Sequence, residues 1–162
     1  MIRTLLVLLC FLFVVLAVLG MRRGWRNRMQ RQSTLPFLPP VPTELGPPEL
    51  TLTGLYVGST FGDSWQDRVV HERLGERADA VATLHGDGVL IDRVGSSPLF
   101  LPRTAWAGAR LAPALAGKVV GAGGLLVIRW QLGEAMLDTG LRADDKLDYP
   151  VWVNAINGKV SA

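Results

Sequence analysis

The side chains in this sequence that can carry chemistry are few and scattered. There are two histidines, His71 and His85, and neither has a second histidine or a cysteine at ligand spacing. No metal site is therefore expected. The single cysteine, Cys10, lies inside an apolar run, and no GxSxG motif occurs, so a nucleophile paired with a base has no candidate. One cysteine also excludes a disulfide framework and a CxxC redox motif. Asp144, Asp145 and Asp148 form a carboxylate cluster, a pattern that suits a solvated helix N-terminus better than a catalytic site. The glycine-rich AGKVVGAGG segment invites a phosphate-loop reading. It lacks GxxxxGK[ST], has Val119 after Lys118, and precedes a strand instead of a helix, so it reads as a tight turn and no cofactor is expected. Five cations remain as a candidate basic ligand face: Arg103, Arg110, Lys118, Arg129 and Arg142. Arg110 and Lys118 bracket the glycine-rich loop and stand first among them. The competing reading is scattered surface charge. Arg68, Arg73 and Arg77 are offset by Asp67, Glu72 and Glu76, as on a solvated helix.

The elements that position these residues follow from how charge is distributed. The 162 residues carry a formal +3, with a pI near 9.5 and a mean hydropathy of +0.27. Residues 1–31 hold six arginines and no acid, whereas residues 32–162 hold eleven basic and fourteen acidic side chains. A basic total built this way gives no support to nucleic-acid binding, because the bulk of the chain is mildly acidic. With 49% apolar residues the chain is not disordered as a whole. Its length allows one domain plus an appendage.

The appendage is residues 1–31. Thr4 to Met21 is an uncharged, all-round apolar run, which predicts a single transmembrane helix. Arg22, Arg23, Arg26, Arg28 and Arg31 follow it, with Trp25 among them, as a basic and aromatic membrane-interface flank. The excess of arginine on the C-terminal side predicts an uncleaved single-pass anchor in the plasma membrane, with the N-terminus outside and the remainder cytoplasmic. The lipid bilayer is then the first partner, and Cys10 an apolar filler. The rival reading is a signal peptide cleaved near Gly20; the five arginines argue against it.

Residues 32–48 hold six of the ten prolines and read as an extended linker. The domain proper is then 49–162. Strands are predicted at Leu52–Thr60, Ala78–Leu84, Val89–Val94, Leu99–Leu101, Trp106–Leu111, Leu125–Trp130 and Ala135–Thr139, with HGDG and QLGE as hairpin turns. Asp63 and Gln66 resemble a capping box for a short helix over Ser64–Leu74, with Trp65, Val69, Val70 and Leu74 as its apolar face. A terminal helix of about ten residues begins near Asp148 and Pro150. Seven strands and a C-terminal helix is the element order of a mainly β, pleckstrin-homology-like (PH-like) bent barrel capped by that helix.

A more particular resemblance rests on GLYVGSTFGDSWQDRVVHERLG, GVLIDRVG, LFLPR, GARLAPALAGKVVGAGGLLVIRW and LDTGLRADD, in this order behind the N-terminal segment. The chain resembles a family of small actinobacterial membrane proteins with PH-like domains, whose genes typically lie among those for pyrimidine biosynthesis. The resemblance covers Gly54 to Ile156 and brings no catalytic residues. It implies a non-catalytic, membrane-linked interaction or scaffold module. A protein partner would add a strand at a sheet edge or lie beside the terminal helix. The alternatives are a transport or enzyme accessory linked to pyrimidine metabolism, and a lipid head-group binder using Arg110 and Lys118.

Overall fold

The computed structural model describes residues 2–32, 35–62 and 64–160, and within the first helix the side chains of residues 9–24. The chain forms two compact units, Met1–Thr34 and Leu35–Ala162. The first is one helix, α1 (Ile2–Gln32). Leu9, Phe11, Phe13, Leu16 and Leu19 are all exposed on it. Among the described residues, no helix is long and apolar enough to cross a membrane. The transmembrane helix expected over 4–21 falls partly outside the described side chains; those described, from residue 9 to Met21, are exposed and mostly apolar. Arg22 and Arg23 are exposed at its end; the side chains of Trp25, Arg26, Arg28 and Arg31 lie outside the described residues.

The second unit is built from β1 (Leu50–Phe61), β2 (Ala78–Leu84), β3 (Gly88–Arg93), β4 (Leu99–Pro102), β5 (Trp106–Ala112), β6 (Ala114–Leu115), β7 (Lys118–Val119), β8 (Leu125–Leu132), β9 (Ala135–Ala143) and α2 (Tyr149–Val160). Seven strands form one antiparallel sheet in the order β4-β3-β2-β1-β9-β8-β5, and β6-β7 is a separate small hairpin. Two meanders, β1 to β4 and β5 to β9, are joined where β9 pairs with β1, with a register shift between Tyr56 and Gly58. Period-two alternation drives this pairing. In β2, for example, Ala80, Ala82 and Leu84 are buried while Asp79 and Val81 are exposed. The expected bent barrel is not closed: the seven strands form an open sheet, with the sequence-adjacent strands β4 and β5 as its two ends.

One face of the sheet carries the main core. Leu52, Tyr56, Ile91, Leu101, Trp130 and Leu137 are buried there together with Tyr149, Trp152 and Ile156 of α2. The entry to α2 is fixed by polar contacts. Leu147 N–H donates to Asp145 Oδ1 at 2.9 Å, and the Tyr149 hydroxyl accepts from Ala143 N–H and donates to the Gly124 carbonyl. The opposite face has a second, smaller cluster of Val57, Ala112, Leu115, Ala116, Leu125 and Val127. The β6–β7 hairpin supplies its cover, and Leu115 seats directly over Gly140, where an added Cβ would lie 2.5 Å from Leu115 Cδ2.

Two expected segments take another form. Residues 64–74 are not an α-helix. Only His71–Arg73 forms a single 3-10 turn, while Thr60 bridges Arg68 and Val69 N–H donates to the Ser59 carbonyl. Val69 and Leu74 are buried but Trp65 and Val70 are exposed, so the four make no common face. Asp63, the expected cap, lies outside the described residues. The proline-rich segment also does more than span a gap. Leu35 and Leu38 pack against the core, His85 Nδ1–H donates to the Gly46 carbonyl at 2.7 Å, and Glu49 N–H donates to the Leu84 carbonyl.

Because Leu115 is fully buried under a two-strand cover, truncation leaves a cavity the hairpin cannot refill. Leu115→Ala is expected to cost about 2–5 kcal/mol in a urea unfolding titration. Val119→Ala, on the exposed side of the same hairpin, is expected to stay within about 0.5 kcal/mol of the parent. Equal losses would show that the hairpin is not a cover.

Candidate functional site

A groove of about 630 Å³ lies on the outer face of β1, β2 and β3. Thr53, Leu55 and Val81 contribute its wall because alternate residues of these strands face away from the core. The turn after β3 closes one end through Ser96 and Pro98. Three carboxylates, Asp79, Asp92 and Asp144, line it together with one cation, Arg93. That cation is already engaged. Its guanidinium donates to the carbonyls of Ser97 and Arg73 and stacks over the Tyr56 ring at 5.1 Å. The charge the groove offers to a visitor is therefore acidic. Beside it, a concavity of about 480 Å³ is lined by Glu72, Arg73, Gly95, Ser96 and Ser97. Glu72 and Arg73 both hold positive φ, a conformation that side chains other than glycine rarely adopt.

None of Arg103, Arg110, Lys118 and Arg142, four of the five candidate cations, lines either concavity, and neither does the fifth, Arg129. Arg110 on β5 donates to Asp138 Oδ2 at 2.8 Å, and Arg129 on β8 binds the same carboxylate with two hydrogen bonds, at 2.7 and 2.8 Å. Asp138 is buried, so the two arginines neutralise a charge that would otherwise be costly there. Arg103 donates to the Lys159 carbonyl at 3.2 Å, at the end of α2. Lys118 stands exposed on β7, and Arg142 stands exposed on β9 in register with Leu55 of the groove. The four sit on separate elements, and two hold other parts of the fold in place. The groove carboxylates gave no motif, since Asp79, Asp92 and Asp144 meet only through strand pairing. Alternation of acidic and apolar residues in ADAV and LIDRV was the available signal.

A buried polar chain runs beneath this face. The Tyr56 hydroxyl donates to the Leu74 carbonyl and contacts Ser59 Oγ, Ser59 Oγ contacts Thr139 Oγ1, and Trp130 Nε1–H donates to Thr139 Oγ1 at 2.9 Å. Burial pushes the Tyr56 phenol up to about 12, against the smaller opposing effects of the Ser59 hydrogen bond and the Arg93 charge. No proton acceptor of a catalytic pair converges on it; its partners are a carbonyl and a serine. Among the described residues, no group of three histidine, cysteine or acidic side chains could hold a metal ion. What the arrangement supports chemically is binding.

Asp138 is held twice by Arg129 and once by Arg110, so the two arginines are not equivalent. Arg110→Ala is expected to cost about 1 kcal/mol or less, while Arg129→Ala is expected to cost at least twice as much in the same urea titration. A reversed order would contradict the shared-carboxylate geometry. Tyr56 gives a pH signature as well. Its phenol ionises near 10 when unfolded and near 12 when folded, so its contribution is complete below pH 10 and is lost as pH rises through 12. Unfolding midpoints measured from pH 9 to 12 should fall less steeply in Tyr56→Phe than in the parent; parallel slopes would remove Tyr56 as the source.

No curated protein matches the chain. A family model does match it, the bacterial PH domain-like family, over residues 35–157. The matched span begins at the start of the second compact unit and ends in the last part of α2. Domains of this kind are generally non-catalytic and suggest an interaction or scaffold role, which agrees with a site equipped for binding. The chain belongs to the bacterial PH domain-like family.

Proposed function

We propose that this protein is a non-catalytic interaction module whose PH-like domain is held at the cytoplasmic face of the plasma membrane by its N-terminal segment. The observation that carries the interaction reading is the open groove of β1 to β3, apolar in its wall and lined by Asp79, Asp92 and Asp144. A partner segment with basic and apolar side chains matches that lining in both charge and polarity. Enzymes of pyrimidine metabolism are one class of assembly that such a module would serve. Membrane attachment is supported by the uncharged run from Thr4 to Met21, the arginines behind it, and the exposed apolar side chains of α1.

The two parts are tested together in cells expressing the full chain. The protein should stay with the membrane pellet through alkaline carbonate washing; release into the wash would end the anchoring proposal. Affinity purification in mild detergent should recover a reproducible partner, and Asp79→Lys with Asp92→Lys should lower that recovery at least tenfold while the thermal midpoint stays close to the parent's. Unchanged recovery from the charge-reversed chain would remove the groove from the binding surface.

A further inference from the structure

The edge strand β5 is covered by a side chain that imitates a strand. Asn157 of α2 points its carboxamide at Ala109, accepting from the Ala109 N–H at 2.7 Å and donating to the Ala109 carbonyl at 3.0 Å. One amide thus takes the pair of backbone groups that a neighbouring strand would use. The close approach requires a residue without a Cβ beside it: Gly108 has φ +140, and an added Cβ would lie 3.3 Å from Asn157 Oδ1. The opposite end of the sheet is treated similarly, since Trp106 Nε1–H donates to the Leu101 carbonyl of β4 at 3.0 Å.

We infer that Asn157 and the last turn of α2 form a clasp that keeps the β5 edge from pairing with the β5 edge of a second copy of this chain. Unpaired sheet edges template such pairing, and proteins block them with charge, proline, short length or a cover. The seven residues of β5, WAGARLA, contain no proline, and their single charge, Arg110, is directed to Asp138. An antiparallel pairing centred on Ala109 would set Ala107 opposite Leu111, and the one irregularity in β5 is the register shift between Trp106 and Gly108, at one end of that stretch and away from its centre. The obstacle is Asn157. The turn that carries it is weakly built. Ile156 is the last buried side chain of α2, Asn157 and Gly158 are poor helix formers, and the remaining ties are polar. These ties are the Lys159 ammonium on the Glu49 carboxylate at 2.6 and 2.7 Å and Arg103 on the Lys159 carbonyl. A turn held by such contacts opens locally at low cost, so the amide on Ala109 decides whether the edge is available.

The test uses the full chain in detergent micelles, with Cys10→Ser removing the native thiol and the pair Ala107→Cys and Leu111→Cys, both at exposed positions that oppose each other across the paired edges, reporting edge contact. The parent with these three changes is expected to remain free of disulfide-linked dimer under mild oxidation. Adding Asn157→Ala should give a dimer band at least five times stronger, with faster amide exchange at Ala109. Asn157→Asp, which keeps the acceptor for Ala109 N–H but loses the donor, should fall between the two and guards against a folding defect in the alanine variant. If exchange at Ala109 rises in either folded variant without an increase in dimer, the clasp does not act against self-pairing and the inference fails. A dimer of equal strength in the parent overturns it as well.

Discussion

The constraint on which the rest depends is that one twelve-residue helix must cover one face of a seven-stranded sheet. A flat sheet of that width would leave most of its apolar face in water. The sheet therefore bends around α2, and Tyr149, Trp152 and Ile156 fill the hollow with Trp130 and Tyr56. Burial of each such side chain contributes roughly 1.5–3 kcal/mol, which no surface contact of this domain can match. Bending brings the two ends of the sheet into the neighbourhood of the helix without pairing them. The consequence is visible at Leu101 and Ala109, whose backbone groups are satisfied by Trp106 and Asn157 side chains instead of by a closing strand.

The outer face shows what remains when the helix is spent. Its β8 and β9 half would also be apolar and exposed, and the β6–β7 hairpin covers it with Leu115. Arg68 locks that cover from the other side by donating to the Ala116 and Gly75 carbonyls. The cover is small and does not extend over β1 to β3. That part of the face instead carries Asp79 and Asp92 among Leu55 and Val81, a surface that tolerates water and is still partly apolar. Binding surface and structural cover thus divide one sheet face between them. The groove lies where the chain spends no cover.

How far the sequence showed this depends on the range of the contacts involved. Strands were legible because alternation is local: Ala78–Leu84 is read from its own residues, and its bounds match β2. The short helix over 64–74 was misread because its Asp-x-x-Gln pattern and apolar spacing are also local. There, tertiary pairing of Ser59, Thr60 and Leu74 with that segment outweighed weak helix propensity. The proline-rich stretch resembled a spacer by composition, while the packing of Leu35 and Leu38 depends on a surface that exists only after folding. Arg110 illustrates the same limit for function. Its role is set by Asp138, 28 residues away in the chain, and by strand pairing that places Arg129 on that same carboxylate.

The domain's charge is resolved by the same logic. Fourteen acidic side chains against eleven basic ones looked like an even scatter over residues 32–162. Folding sorts them by use. Arg68, Arg93, Arg103, Arg110 and Arg129 all turn inward or along the surface to satisfy carbonyls or Asp138, which consumes much of the positive charge in structural bonds. The carboxylates at positions 79, 92 and 144 line the groove, where the one cation, Arg93, is already spent on carbonyls. A domain only mildly acidic in total therefore presents a distinctly acidic groove, because arginine, with five donors in a rigid fork, is the residue best suited to tying irregular backbone together. Arg110 and Arg129, two of the cations read as a ligand face, are taken up by Asp138, and the charge that the groove itself offers is that of its carboxylates.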